Sequence, residues 1–399
     1  MCGTGYFIVD WTCIGRAGSR LLAFVSYDLT NNITQSLIMQ IGIVGLPFSG
    51  KSTLYQTLTR THLDPAALAK GQTHHGIVKV PDQRLDRCAA LFSPKSTVHA
   101  TIEFVDVVGL NKGESGSTQF TTNFLGSVKT NDALVQVVRL FANDAVPHPE
   151  GTIDAVRDIA TFETEFILSD MAVLETRIER IRKQVMKSGD EQSKRELPIL
   201  EKCHAALESE KPLREVEFTK EEAHILKNYQ LLSEKPMLVA LNFDDTQREE
   251  APRITSNVRE KKGRRNTGVV SFFGQIEKEM SELPEEEAKA FMAEYGITES
   301  ALDALIRESY TLLGLRSFLT VGDDECRAWT IREGMTAQEA AGVIHSDFVN
   351  KFIRAEVVHY DDFIAHGGSF AKAKDAGVWR LEGKEYIVRD GDIMSIRHS

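Results

Sequence analysis

The stretch IGIVGLPFSGKSTLYQTL, Ile41 to Leu58, restricts the fold more than any other part of the chain. The apolar run Ile41-Gly42-Ile43-Val44 reads as a buried strand. Gly45-x-x-x-x-Gly50-Lys51-Ser52 follows it directly, with a helix start behind. In that setting backbone N–H groups curl around a phosphate at the positive end of a helix. Lys51 then reaches the β- and γ-phosphates, and the Ser52 hydroxyl ligates Mg2+. Gly45, Phe48, Ser49, Gly50, Lys51, Ser52 and Thr53 form the candidate cradle, with Lys51 as candidate catalytic cation. Phe48 is the anomaly, a bulky aromatic where phosphate loops rarely carry one.

Two later elements belong with this loop. IEFVDVVGL is a buried strand ending in Asp106-Val107-Val108-Gly109. A carboxylate there can hold the Mg2+ shell through water, and the Gly109 N–H would sense the γ-phosphate. KPMLVALNFDD ends in Asn242-Phe243-Asp244-Asp245, where guanine-reading proteins carry Asn-Lys-x-Asp. Asn242, Phe243 and Asp245 are the candidate base-site residues, with Phe273 in VVSFFGQ on the loop closing over the base. Asp245 taken alone also reads as a solvated turn residue.

Around these motifs, short apolar runs alternate with helical stretches from Met39 on, which predicts an α/β domain with a largely parallel sheet. Strands are expected at 41–44, 101–105, 134–138, 237–241 and 269–272, and helices from Lys51, near Phe120 and near Glu285. Leu174, Ile178, Ile181 and Val185 recur at helical spacing, and Leu197, Leu200 and Leu207 form a second stripe after KSGDEQ. Two antiparallel helices are the economical reading, with Pro198 either in the second helix's first turn or kinking it. After Leu315, a strand–turn–helix–strand order with further short strands predicts a small, separate α+β domain.

The 399 residues allow two or three domains. A net charge of −11 argues against a globally basic nucleic-acid binder while leaving room for a local basic face. The five scattered cysteines include no CxxC spacing, which fits a reducing, cytoplasmic setting without a zinc site. No apolar run approaches the roughly 20 residues that span a bilayer. Residues 1–38 lack the features of a signal peptide and read as an extension ahead of Met39, with an added edge strand or partner-binding tail as the alternative.

Together these elements resemble the YchF/Obg-like ATPase family of P-loop GTPase-related proteins. The resemblance runs from about Met39 to the end, most specifically in VPDQRLD, IEFVDVVGL, RAWTIREGMTAQEAAGVIHSDF, FIRAEVVHYDDF and LEGKEYIVRDGDIMSIR. It implies a G domain (39–145 and 232–315), a helical-hairpin insertion (146–231) and a C-terminal TGS domain of β-grasp type (316–399). It further implies Mg2+-dependent hydrolysis of ATP in preference to GTP. The implied partner is a ribosome or RNA, reached through the TGS domain and hairpin, with no DNA or membrane partner and a monomer as the default.

Several residues depart from that family. It usually carries Asn in GLPNVGKS, which helps hold K+ in related cation-dependent G proteins; Phe48 cannot ligate K+, which argues against K+ stimulation. Leu110 stands where many GTPases orient water with Gln, and here the chain agrees with the family, which also has an apolar residue there. The family's proposed His in HVVR is Gln136 here, a candidate water-orienting residue or a sheet-packing one. In KGQTHHG, Thr73 is a candidate γ-phosphate or Mg2+ contact, while His74 and His75 read as exposed loop residues. The family's Asn-x-x-Glu is Asn242-x-x-Asp245, a step back toward the guanine pattern; a GTP-preferring enzyme and a non-hydrolysing adaptor are the alternatives to the ATPase. Arg327, Lys351, Arg354 and Lys372 are candidates for an RNA- or protein-docking face, or simply a solvated surface.

Overall fold

A computed structural model describes residues 39–61, 73–107, 110–112, 118–188, 190–295, 297 and 299–399; the 1–38 segment and Gly109 lie outside them. Along the chain the strands are β1 (Gln40–Gly45), β2 (His74–Lys79), β3 (Ser96–Val98), β4 (Thr101–Asp106), β5 (Asn111–Lys112), β6 (Thr118–Gln119) and β7 (Ala133–Arg139). They continue with β8 (Met237–Asn242), β9 (Thr267–Phe272), β10 (Leu315–Val321), β11 (Glu325–Arg332), β12 (Phe352–His359), β13 (Arg380–Glu382) and β14 (Asp392–His398).

The first sheet has the order β2-β4-β1-β7-β8-β9. Its five inner pairings are parallel except for β2, which runs antiparallel to β4. Strands β7 and β8 are buried at every position, as expected where helices cover both faces. Each of the five expected strands is present, lengthened by one or two residues, and helices begin at Lys51, Thr122 and Glu285. This is an α/β fold whose carboxyl strand ends gather Gly45, Asp106, Arg139 and Asn242 along one edge.

Between β7 and β8 the chain forms helices Ala155–Ser188 and Glu191–Glu208. The first begins well before the stripe read from Leu174. Its opening turns pack Ile159, Phe162 and Phe166 on the sheet's core, and only its outer part pairs with the second helix through Leu174, Ile178 and Ile181. Pro198 lies inside the second helix, which starts at Glu191 and runs through it. The buried Asp170 carboxylate fixes the insertion to the sheet. It accepts from Leu232 N (2.9 Å), Ser233 N (2.7 Å) and Ser233 Oγ (2.6 Å), just before β8.

The second sheet has the order β13-β12-β14-β10-β11-β3. It joins the C-terminal strands to one strand from the N-terminal half. β3 comes from the N-terminal half and pairs parallel with β11 through Ser96↔Glu325 and Thr97↔Cys326. Leu85 and Cys88 of helix Gln83–Phe92 share one apolar core with Leu319, Cys326, Phe363 and Ile393. Each fully buried leucine in that core contributes about 2 kcal/mol, which makes the junction part of the folding unit.

Asp170→Ala would strand two buried N–H groups and is expected to lower stability by about 3 kcal/mol in a denaturant titration. A loss below about 0.5 kcal/mol would mean that packing alone fixes the insertion.

Candidate nucleotide-binding site

The phosphate loop is held by its own backbone and by two glycines that cannot be replaced. Ser49 N donates to Leu46 O (3.2 Å), and Gly50 at φ 96° caps helix Lys51–Thr59, whose first turn closes with Leu54 N on Gly50 O (2.9 Å). A Cβ on Gly45 would stand 2.6 Å from Ser49 Oγ and 2.7 Å from Val137 O, so the loop can fold back on β7 only with glycine there. Phe48 takes φ 63° and is 58% exposed, a strained conformation for a bulky residue.

Beneath the loop lies a desolvated charge pair. Burial pushes the Lys51 ammonium down, and the Asp106 carboxylate opposes that shift. Burial pushes Asp106 up, opposed by Lys51, by the hydrogen bond from the Ser52 side chain and by His74. Asp106 Oδ1 and Ser49 Oγ are buried without a hydrogen-bond partner among the described residues. The Ser52 hydroxyl is a hard oxygen donor that Mg2+ takes when phosphates supply the rest of its shell, and the open Asp106 oxygen can accept from a water in that shell, so these residues fit the ion.

The base-side loop is pinned by Asn242. Its buried amide donates from Nδ2 to Ser49 O (3.1 Å) and accepts at Oδ1 from Gly274 N (3.1 Å). Asn242 thereby ties the phosphate loop to the loop after β9. Phe243 departs from its expected role: it is 2% exposed, packs in the core beneath the sheet edge, and its ring lies 6.0 Å from that of Phe273. The ring packs into the core under that loop. Phe273, half-buried, sits beside it with the Arg248 guanidinium 5.9 Å over its ring and 4.5 Å over that of Tyr295. Asp245 is exposed at the start of a short turn of helix, next to Asp244, whose carboxylate caps that turn.

Gln136 has a structural bond of its own. Its side chain is 1% exposed and Nε2 donates to Asp158 O (3.0 Å) in the first turn of the long insertion helix. That bond ties the insertion to β7, while Gln136 Oε1 is buried without a hydrogen-bond partner among the described residues. Thr73 is half-buried, one residue ahead of β2. His74 is no exposed loop residue either. It opens β2 opposite Asp106, half-buried, while His75 turns outward to Glu103 (3.1 Å). Arg248 escaped the sequence reading because an arginine directly after a short helical turn carries no spacing signal.

A parallel sheet with a glycine-bounded phosphate loop after β1, an acidic end to β4 and an asparagine ending β8 defines a P-loop nucleoside triphosphatase of the G-protein type. Residues 40–165 match the family described as 50S ribosome-binding GTPase, and residues 315–399 match the YchF-type GTPase C-terminal family, described as a protein of unknown function. The chain is 43% identical to the ribosome-binding ATPase YchF of Bacillus subtilis, covering 90% of this chain and 99% of that one. It is 39% identical to the protein of the same name from Escherichia coli O157:H7, over 89% and 97%. The solved YchF GTPase of Schizosaccharomyces pombe superposes with a TM-score of 0.78 at 31% identity, over 90% of this chain and 97% of that one. The chain belongs to the YchF family.

Two substitutions separate binding from scaffolding. Lys51→Ala is expected to weaken nucleotide binding at least 100-fold by calorimetry with little change in thermal midpoint. Asn242→Ala leaves Ser49 O and Gly274 N unpaired, so it should lower stability by about 2 kcal/mol as well as affinity.

Proposed function

We propose that this protein is an Mg2+-dependent ATPase, slow on its own, that acts as a ribosome-associated switch in the cytoplasm. The observation that carries the reading is the glycine-bounded loop after β1 with half-buried Lys51 beside the buried, open Asp106 carboxylate and Ser52. A desolvated ammonium and a row of N–H donors gain most from a polyanion. The relatives' printed name, ribosome-binding ATPase, supports the ATP preference and the partner.

In this reading the loop amides and Lys51 hold the β- and γ-phosphates, and Ser52 and Asp106 hold the ion. When bound, Mg2+ neutralises phosphate charge. Water attacks the γ-phosphoryl in line, and catalysis comes from positioning and charge. Intrinsic turnover is slow because Leu110 is buried and apolar, Gln136 is bonded to Asp158 O, and Phe48 offers no cation ligand. A group supplied in trans is worth about 10³–10⁵ in rate, which is the role given to the ribosome or RNA, met through the insertion and a C-terminal domain of TGS type. The second reading, GTP preference, is favoured by exposed Asp245, whose carboxylate is available at the mouth of the base side.

Calorimetry with ATP and GTP tests base choice: tighter ATP supports the ATPase, and tighter GTP assigns selection to Asp245. Phosphate release should be equal in K+ and Na+ and rise at least tenfold with ribosomes; no release in any condition would leave a nucleotide-dependent adaptor. Phe48→Asn is expected to confer faster release in K+ than in Na+. It should also stabilise the chain by up to about 1 kcal/mol, because Asn tolerates the left-handed backbone better than Phe.

A further inference from the structure

The imidazole of His74 is a polar group that the phosphate site has not yet absorbed. Antiparallel pairing sets His74 directly opposite Asp106, which puts both side chains on the same face of the sheet. That face is the one covered by helix Lys51–Thr59: the Tyr55 ring lies 6.5 Å from the imidazole. Gly76, two residues on and on the same face, explains the closeness. A Cβ there would fall 2.2 Å from Thr59 Cγ2 and 3.1 Å from Tyr55 Oη, so only glycine lets β2 lie against the phosphate-loop helix. His74 Nε2 is buried with no hydrogen-bond partner among the described residues, and so is Asp106 Oδ1. The Asp106 carboxylate senses His74 electrostatically, whereas His75 is spent on Glu103 at the surface.

Two unpartnered polar atoms on one buried face, beside Lys51 and Ser52, call for a ligand that can hydrogen-bond both. A water carried by a divalent ion has two hydrogens to give and meets that demand. We propose that His74 is a positioning residue of the nucleotide site, its Nε2 holding, together with Asp106, a water in the shell of the nucleotide-bound divalent ion. This rests on the nucleotide-site reading above. The role is one of hydrogen bonding and needs no change in the imidazole's charge, so an amide of similar reach can perform it.

The test is calorimetry of a non-hydrolysable ATP analogue, with Mg2+ and with EDTA, on the full chain and on His74→Ala and His74→Gln. The expected result is that His74→Ala loses about tenfold of the Mg2+-dependent gain in affinity, keeps its affinity in EDTA, and that His74→Gln restores most of the gain. An unchanged gain in His74→Ala overturns the proposal. So does an equal loss in both variants with a lowered thermal midpoint and weakened EDTA binding, which would show that His74 only packs β2. A wild-type chain that fails to bind the analogue at all would instead overturn the nucleotide-site reading itself.

Discussion

One buried carboxamide organises the functional edge of this molecule. Asn242 ends the central strand β8 and bonds in opposite directions, to Ser49 O in the phosphate loop and to Gly274 N in the loop after β9. Both neighbours must be bare for it to fit. A Cβ on Gly50 would stand 2.4 Å from Asn242 Nδ2, and one on Gly274 2.8 Å from Oδ1. The net worth of the two bonds is modest, about 1 kcal/mol each, but losing the amide would strand a buried carbonyl and a buried N–H at about 1–3 kcal/mol apiece. Loop positions that look independent in sequence are therefore set by one side chain, and the phosphate and base ends of the site cannot shift separately.

The same edge is tied to the C-terminal half. β2 starts at His74 beside the phosphate site and leads without a long loop into Asp82, which caps helix Gln83–Phe92. Arg84 then grips Asp82 through Nε (2.9 Å) and Nη2 (2.8 Å), and Asp390 through Nη1 (2.7 Å). Asp390 in turn accepts from Ser317 N (2.8 Å) on β10. With β3 built into the second sheet and Cys88 and Cys326 in one core, the two halves share covalent path, sheet and apolar interior. Burial pushes the Cys88 thiol up to about 12, consistent with a packing role deep in that junction. Six residues of strand, ~20 Å, separate the phosphate end from the clasp, and little slack lies between them.

Much of this was legible in the chain because its strongest signals are local. Apolar runs bounded by Gly45, Asp106 and Asn242 located the strands, and the 3.6-residue stripe located the paired helices. What failed was non-local. The stripe at Leu174 marks only where the second helix joins, so the helix start at Ala155 was missed: its Ile159, Phe162 and Phe166 face a sheet and not a partner helix. Phe243 sits where a base-reading residue is expected, yet the strand's alternation turns it into the core. The bond from Gln136 Nε2 goes to Asp158, a residue 22 positions away on an element whose docking no spacing reveals. His74 looked like a loop residue because a six-residue strand with a glycine at its third position has a weak period-2 signal.

Phe48 can be understood from the same division between backbone and side chain. The turn closed by Ser49 N on Leu46 O and the left-handed Gly50 fix the loop's path, and that path directs position 48 outward. The phosphate cradle is made of N–H groups, to which the identity of an outward side chain contributes nothing. A bulky residue at φ 63° costs on the order of 1 kcal/mol and, at 58% exposure, recovers little of it by burial. Stability therefore does not account for phenylalanine at this site, and the cradle does not forbid it. The side chain displayed at position 48 and phosphate binding by the backbone are separable properties of one loop, so the first can vary while Lys51, Ser52 and Asp106 remain in place.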